Sequence, residues 1–384
     1  MKRIGSLWPQ VTSFENLLGA AEAAAAGKRR RADVAAFLLD LEGELLKLRH
    51  ELLSGGYRTG SYRTFRIRDP KPRLISAAPF RDRVVHHALT RVLEPIFEKR
   101  FSNNSFACRT GLGTHRALER AKDGVRRFQY ALKCDVRKYF ASIDHGILNA
   151  LLARTVKCQP TLDLAALIIE GFRPDPDSAP EDVVRYYAGD DLFSAWERRR
   201  GLPLGNQTSQ FFANLYLDSL DRLIDERLRP PVYARYVDDF VLFSDSRVRL
   251  GEMRREIVES MESRRLEIHP GKSRIYRCRD GVTFLGWRLF PDKTRLVRGN
   301  VVRFRRRMKE MHGAYNAGRM TWHDVEQRVQ AWIGHASQGD TWVLRERLLG
   351  GFAFGPGVRP QSPRGVLQQR CNEAPRGVPQ QEPA

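Results

Sequence analysis

The stretch Tyr233–Phe243, with the sequence YARYVDDFVLF, constrains the fold most because two acidic residues stand inside an aromatic and β-branched run. Runs of this composition form strands, and a polar pair between two of them is typical of a tight hairpin. The sequence therefore predicts Asp238 and Asp239 together at a turn. Two like charges held so close repel unless a cation lies between them, which indicates a divalent metal site. Asp190 and Asp191 form another acidic pair, but their polar, Pro- and acid-rich surroundings predict a solvated loop.

A third carboxylate has surroundings similar to those of the first pair. Asp135 lies near the end of the short apolar run Tyr130–Val136, and a helical pattern that Ser142 or Asp144 could cap follows it. Asp135 is thus predicted at a strand-to-helix junction. If the strands are neighbours, the three carboxylates form the oxygen-rich set that two Mg²⁺ ions need for an in-line phosphoryl displacement. From spacing alone, three unrelated surface acids remain an equal alternative.

The order of these and other motifs resembles that of the reverse transcriptases. Asp135 with Phe140, followed much later by Tyr236–Asp239, resembles motifs A and C of that family. The other similar segments, in chain order, are two fingers blocks of bacterial, group II intron-related enzymes and motifs B, D and E: Lys71–His87, Phe106–His115, Leu202–Leu217, His269–Ser273 and Phe284–Trp287. The resemblance covers about residues 57 to 350.

Motif B narrows the resemblance within the family. Intron-encoded and retron enzymes usually carry Gln before the motif's Gly and end it with Ser-Pro, whereas here Leu204 precedes Gly205 and the motif ends Ser209-Gln210. That pattern is similar to the reverse transcriptases of diversity-generating retroelements, in which residues matching Leu204 and Arg73 are linked to errors at template adenines. The resemblance implies an error-prone RNA-directed DNA polymerase that copies a template RNA into cDNA. The alternatives are a defence-type, CRISPR-associated or intron-like reverse transcriptase, or a non-catalytic RNA-binding maturase or scaffold.

The resemblance also implies catalytic roles. Asp135 and Asp238 would hold two Mg²⁺ ions, for which Mn²⁺ can substitute, and Asp239 would add negative charge to the same site. Lys272, in motif D, would protonate or electrostatically stabilise the pyrophosphate leaving group; a generic surface lysine is the alternative.

A pocket for the dNTP and the template is expected beside the metal site. Lys71 and Arg73 are two residues apart on an extended stretch and so face the same side, where they could clamp the triphosphate; a solvated basic loop is the alternative. Phe140 could exclude a 2′-hydroxyl or simply pack in the core. Gly205 permits close backbone approach to the new base pair. The whole predicted pocket is Lys71, Arg73, Phe140, Leu204, Gly205 and Gln210.

The charge balance favours a polyanionic partner. The chain has 66 Lys and Arg against 45 Asp and Glu, a net charge of +21 and a pI near 10.2, as expected of a nucleic-acid-binding protein. Lys28–Arg31 is one basic cluster. Arg295–Lys309 contains seven basic residues and no acid, and it is predicted to bind the template–primer backbone, although such a run can also be a solvated face.

These patterns predict an α+β chain with the right-hand polymerase arrangement of fingers, a palm with an antiparallel sheet, and a helical thumb. An apolar stripe at helical spacing, which includes Val34, Leu41 and Leu48, predicts helices near the N-terminus. The predicted organisation is an N-terminal helical extension (1–56), fingers (57–128), palm (129–296), thumb (297–350) and a disordered tail (351–384).

Cysteine usage and hydropathy indicate the cellular setting. The five cysteines are scattered and lack CxxC spacing, so a reducing cytoplasm is expected. No run is apolar enough to predict a membrane span. The tail after the thumb is expected to be too short for an RNase H or integrase domain. The expected partners are template RNA and the RNA/cDNA duplex, dNTPs and, by resemblance, a small basic helical accessory protein.

Overall fold

The structure is a computed structural model that describes residues 3–67, 72–172, 186–187, 189–191, 193–352 and 354. Lys71, Cys371, most of the polar stretch before motif B and most of the predicted tail therefore lie outside the described residues. The chain forms two compact units that divide between Asp280 and Gly281. Helices and antiparallel sheets are mixed in it, which confirms the predicted α+β class. No helix in the described part of the chain is long and apolar enough to cross a bilayer.

The first unit surrounds one four-stranded sheet with helices. Its helices are α1 (Trp8–Val11), α2 (Phe14–Ala25), α3 (Ala32–Leu39), α4 (Leu41–Ser54), α5 (Phe80–Glu98), α6 (Thr114–Arg127), α7 (Tyr139–Ser142), α8 (His145–Ala153), α9 (Gln159–Glu170), α10 (Ser194–Glu197), α11 (Gln207–Arg222), which continues as a π-helical segment (Leu223–Leu228), and α12 (Arg247–Glu262). Its strands are β1 (Arg63–Ile67), β2 (Arg73–Ala77), β3 (Tyr130–Asp135), β4 (Val232–Tyr236), β5 (Asp239–Ser244) and β6 (Arg274–Arg277).

The N-terminal region is helical, as predicted, but its apolar stripe is divided between two helices. Asp40 has non-helical dihedral angles (φ −121°, ψ 52°) and separates α3 from α4. Ser13 caps α2 by accepting a hydrogen bond from the Asn16 amide at 3.2 Å. The Asn16 side chain donates to the Ala88 carbonyl on α5 at 3.0 Å, so the N-terminal helices are attached to the same core as the sheet.

The central sheet has the strand order β4-β5-β3-β6, and all its neighbours are antiparallel. Tyr236 pairs with Asp239, which leaves a two-residue turn of Val237 and Asp238 between β4 and β5. The predicted hairpin is confirmed. Asp135 is the last residue of β3, and α7 follows it closely, so the predicted strand-to-helix junction is confirmed as well. Of the two candidate caps, Asp144 caps α8.

Because His86 on α5 is buried, we expect the free energy of unfolding to depend measurably on pH. It is 1% exposed, and neither ring nitrogen has a hydrogen-bond partner. Burial lowers the pKa of His86 from 6.5 to about 3, so between these two pH values the unfolded chain binds a proton that the folded chain does not bind. The free energy of unfolding is therefore unaffected by His86 above pH 6.5 and decreases as the pH falls towards 3. We expect this residue to lower the free energy of unfolding by about 1.4 kcal/mol per pH unit below 6.5.

Urea unfolding between pH 7 and 5, where most carboxyl groups stay ionised, measures this dependence. The matched variant His86→Leu fills a similar volume without a titrating group and should show a shallower loss of stability with acidification. If the free energy of unfolding has the same pH dependence in the two proteins, His86 binds its proton equally well in the folded and the unfolded chain.

The second unit combines a small sheet with helices. Its strands β7 (Val282–Phe284), β8 (Trp287–Leu289) and β9 (Thr294–Leu296) form one antiparallel sheet in that order, and its helices are α13 (Arg298–Asn316), α14 (Trp322–Ala336) and α15 (Trp342–Leu349). Phe304 on α13 stacks on Trp332 of α14 with ring centroids 3.6 Å apart. The sheet, which the sequence analysis assigned to the palm, thus lies in the same compact unit as the predicted thumb. Phe352 and Phe354 pack against the α13–α14 cluster, so the packed chain extends past Gly351.

Candidate active site

The sheet brings the three predicted carboxylates to one end. Asp135 closes β3 and lies directly opposite Asp239, the first residue of β5. Asp238 occupies the adjoining turn, and its carbonyl accepts a hydrogen bond from the Val136 amide at 3.2 Å. The alternative of three unrelated surface acids does not describe this arrangement, because the three residues share one hydrogen-bonded corner of the sheet.

Two lysines accompany these carboxylates. Lys272 Nζ lies 2.9 Å from Asp135 Oδ2, and Lys133 Nζ lies 3.4 Å from Asp239 Oδ1. Lys133 is two residues before Asp135 on β3 and therefore points to the same face of the sheet. The described residues contain no group of three or more His, Cys, Asp or Glu side chains arranged to hold a metal ion.

Burial and mutual repulsion raise the pKa values of the carboxyl groups at the turn. Burial raises the pKa of Asp239 to about 6, with a further increase from Asp135, while Lys133 lowers it. Burial also raises the pKa of Asp238, and Asp135 adds to the increase, whereas Arg73 and Lys272 lower it. Asp135 therefore raises the pKa values of both Asp238 and Asp239, as expected of like charges held close together.

The carboxylate oxygens of Asp135, Asp238 and Asp239 are of the chemical type that hard divalent cations bind. Asp135 and Asp239 lie opposite each other beside the Asp238 turn, and the buried Asp239 Oδ1 makes no hydrogen bond beyond its 3.4 Å ion pair with Lys133. Each of the two pairs places an ammonium group beside a carboxylate, where a metal ion could take over the same charge neutralisation. Mg²⁺ prefers carboxylate oxygens, so the chemistry of the residues is suitable for it.

The motif D segment holds Asp135 in place. The His269 amide donates to the Asp135 carbonyl at 2.7 Å, and the Asp135 amide donates to Ser273 Oγ at 3.2 Å. Lys272 lies between these two anchors, and its side chain is half exposed. The sequence identified Lys272 and placed Ser273 in the same motif without a role, but Lys133 was missed; a lysine inside the otherwise apolar β3 run was the available signal.

Two predicted pocket residues lie against the strand β2. The Leu204 carbonyl accepts a hydrogen bond from the Ser76 amide at 3.0 Å. Gly205 has φ +114°, and a Cβ there would lie 2.9 Å from Ile75 Cγ2, so a side chain would be both strained and crowded. Glycine at this position thus allows the close approach between the motif B loop and β2.

The other described pocket residues differ in their surroundings. Phe140 is half-buried, packs against the main core, and its carbonyl accepts from the Leu202 amide at 2.8 Å. Arg73, at the start of β2, is exposed and acts on the pKa of Asp238. Gln210 is exposed and, with Gly205, lines a cleft of about 980 Å³ whose basic residues are Lys28, Arg83 and Arg91.

The predicted solvated loop at Asp190 is wrong for that residue. The Asp190 side chain is 1% exposed and forms ion pairs with Arg198 and, at 3.4 Å, with Arg265. Arg265 also binds Asp144, the cap of α8, at 2.6 Å. The hydrogen bond from Arg198 lowers the pKa of Asp190. Asp191 is exposed, as predicted.

The basic run of the second unit forms one side of an amphipathic helix. Phe304, Met308 and Met311 are buried on α13 at helical spacing. The remaining side of the helix and the strand before it present the exposed basic residues Arg295, Arg298, Arg305, Arg306, Arg307 and Lys309. Positive charge is thus concentrated on one exposed surface, which suits a phosphate backbone.

Comparison with known families identifies the class of protein that this fold and site define. The model of the family "Reverse transcriptase (RNA-dependent DNA polymerase)" matches residues 67–289, which is more than half of the chain and includes all three carboxylates. The chain therefore belongs to the reverse transcriptase family, which implies a polymerase palm and fingers. Its enzyme class is RNA-directed DNA polymerase, and enzymes of this family generally use divalent metal ions.

Several curated proteins are similar to the chain. Protein YkfC of Escherichia coli is 26% identical over 67% of this chain and 74% of its own length. Nuclear intron maturase 2, mitochondrial, of Arabidopsis thaliana is 31% identical over 31% of this chain, but the match spans only 18% of the maturase. The group II intron-encoded protein LtrA of Lactococcus lactis is 23% identical over 48% of this chain and 28% of its own length. The similarity to intron-encoded proteins thus covers only part of those longer chains.

Proposed function

We propose that the protein copies a template RNA into cDNA by two-metal nucleotidyl transfer at the corner formed by Asp135, Asp238 and Asp239. The observation that carries this proposal is the register of β3 and β5, which sets Asp135 opposite Asp239 beside the Asp238 turn. Bound Mg²⁺ ions, or Mn²⁺ in their place, would activate the primer 3′-hydroxyl and neutralise the charge on the leaving pyrophosphate. Asp135 and Asp238 would hold both ions, and Asp239 would add negative charge.

The neighbouring side chains then have distinct proposed tasks. Lys272, whose Nζ lies 2.9 Å from Asp135 Oδ2, would give a proton to the leaving pyrophosphate oxygen. Arg73 is exposed near Asp238 and can bind the triphosphate through its planar fork, together with Lys71. The partly exposed Phe140 excludes a 2′-hydroxyl, and the cleft at Gly205 and Gln210 accepts the template strand.

We further propose that synthesis is error-prone at template adenines, as in a diversity-generating retroelement. Support comes from the resemblance of Leu204 and Arg73 to the residues linked to infidelity; the Leu204 carbonyl is hydrogen-bonded to the Ser76 amide on β2, the strand that begins at Arg73. A leucine offers the new base pair an apolar surface and no hydrogen bond, so a mismatched pair is not rejected by a lost polar contact.

Leu204→Gln is expected to lower misincorporation opposite template adenines by roughly tenfold, because an amide can hold the correct pair by hydrogen bonding. Sequencing of cDNA made by the purified protein on a defined RNA template, with Mg²⁺ and dNTPs, measures the error rate at each template base. Leu204→Met, which conserves volume, is the matched control and should retain the errors. Faithful cDNA from the unaltered protein would contradict the mutagenic role and leave the polymerase assignment intact.

A second candidate is an intron-like reverse transcriptase, which the similarity to maturases and LtrA favours. The same sequencing experiment separates the two, because this candidate predicts faithful copying. For either one we propose template RNA, the RNA/cDNA duplex and dNTPs as binding partners, with the α13 surface contacting the duplex backbone. A small basic helical accessory protein and a cytoplasmic location complete the proposal; the four described cysteines are free, as a reducing compartment requires.

A further inference from the structure

Arg235 is a charged residue in the interior of the strand that leads to the Asp238 turn. Its side chain is fully buried, and so is that of its ion-pair partner Asp221 on α11. Arg235 Nε donates to Asp221 Oδ1 at 2.7 Å, and Nη2 donates to the other carboxylate oxygen. The Tyr233 hydroxyl donates to the same Oδ1 at 2.6 Å. The buried guanidinium of Arg235 thus has a buried carboxylate as its counter-ion.

The same guanidinium also reaches the catalytic turn. Arg235 Nη1 donates to the Val237 carbonyl at 2.9 Å, and Val237 is the residue between β4 and Asp238. Val237 has φ +59°, a left-handed conformation that a β-branched residue adopts at a cost. A turn in such a conformation persists only where its surroundings hold it there, and the Arg235 bond is one such restraint.

Further contacts attach Arg235 to the loop that precedes α6. Nη2 donates to Ser105 Oγ at 2.8 Å. The Arg235 amide donates to the Asn104 carbonyl at 2.8 Å, and the Phe106 amide donates to the Arg235 carbonyl at 2.9 Å. Arg235 therefore connects three elements to one turn: the loop before α6, helix α11 through Asp221, and strand β4.

We infer that Arg235 is a positioning residue that holds the Val237–Asp238 turn in its strained conformation and so sets where the Asp238 carboxylate points. The role requires arginine because three separate nitrogens of one rigid plane bind Asp221, Ser105 and Val237 at the same time. A lysine has a single nitrogen and can keep the ion pair with Asp221 but not the whole set. The kinetic consequence rests on the proposed function, whereas the structural consequence for the turn does not.

The test compares Arg235→Lys with Tyr233→Phe in the full chain. Both variants weaken the hydrogen bonding of the buried Asp221, but only the first removes the bond to the Val237 carbonyl. Hydrogen exchange of the metal-free protein should rise about tenfold at the turn amides in Arg235→Lys and stay unchanged in Tyr233→Phe. Single-turnover cDNA synthesis should fall about 100-fold in Arg235→Lys, with the dNTP KM and the RNA Kd within about twofold of the unaltered protein.

If Arg235→Lys does not fold, the double variant Asp221→Asn with Arg235→Gln provides the same test. It replaces the buried ion pair with a neutral pair, so neither partner leaves an uncompensated buried charge, and its shorter amide cannot reach the turn. A folded variant with unaltered turn exchange would overturn the inference, and so would equal loss of rate in Tyr233→Phe. If the unaltered protein makes no cDNA, the proposed function fails, but the exchange measurement still decides whether Arg235 holds the turn.

Discussion

Replacing both Asp238 and Asp239 with Ala is expected to abolish cDNA synthesis, with a loss of at least about 1,000-fold in rate. The variant removes two of the three carboxylates at the β3–β5 corner, so only Asp135 is left to bind two cations and balance their charge. RNA affinity should stay nearly unchanged, because the exposed basic residues of α13 belong to the second compact unit and are not altered in this variant. Single-turnover primer extension and a filter-binding titration with the same RNA measure the two quantities.

The matched control is Asp123→Ala, which removes an exposed carboxylate from α6, where Asp123 is 3.0 Å from Arg127. It should leave both the rate and the RNA affinity unchanged. Synthesis that persists in the double variant would show that the metal assignment is wrong. Equal loss of synthesis and of RNA binding would indicate that the variant had disturbed the fold and not only the chemistry.

Asp221→Ala is expected to lower the free energy of unfolding by about 3–5 kcal/mol. The reason is the burial of its partner: both Asp221 and Arg235 have 0% side-chain exposure, so the variant leaves an arginine charge buried without its counter-ion. Urea unfolding followed by tryptophan fluorescence and circular dichroism gives the change.

An exposed ion pair provides the comparison for this prediction. Arg116 and Glu119 on α6 are 3.3 Å apart, with side chains 66% and 63% exposed. Glu119→Ala should change the free energy of unfolding by about 0.2–1 kcal/mol, because solvent screens such a pair. If Asp221→Ala lowers the free energy of unfolding by no more than Glu119→Ala does, water or another residue must neutralise Arg235 after its partner is removed.

The parts of the fold that local patterns determine could be predicted from the sequence. The hairpin of Tyr233–Phe243 follows from two β-branched and aromatic runs around a polar pair. The break at Asp40 was not predicted, because the apolar stripe of the N-terminal helices continues at helical spacing on both sides of it. Periodicity reports which face is buried and does not report a change of direction between two helices that share that face.

The carboxylates of the candidate site could be predicted from the sequence. Two residues that pair with them or hold the turn in place could not. Lys133 pairs with Asp239 across two strands, and Arg235 reaches Asp221 on another element, so their partners depend on tertiary structure. Asp190 was misinterpreted for the same reason. Its polar neighbourhood indicated solvent, but Arg265, far along the chain, folds back to pair with it. Composition predicts the average environment of a segment, and an ion-pair network is an exception to that average.

The decisive measurement is the number of divalent ions bound at the corner of Asp135, Asp238 and Asp239. Mn²⁺ binding, measured by electron paramagnetic resonance on the protein with an RNA–primer duplex and a non-hydrolysable dNTP analogue, counts these ions. We expect two ions in the unaltered protein, and weaker or lost binding in both Asp135→Asn and Asp238→Asn. Two ions bound equally well in both variants would show that the metal site lies elsewhere in the protein.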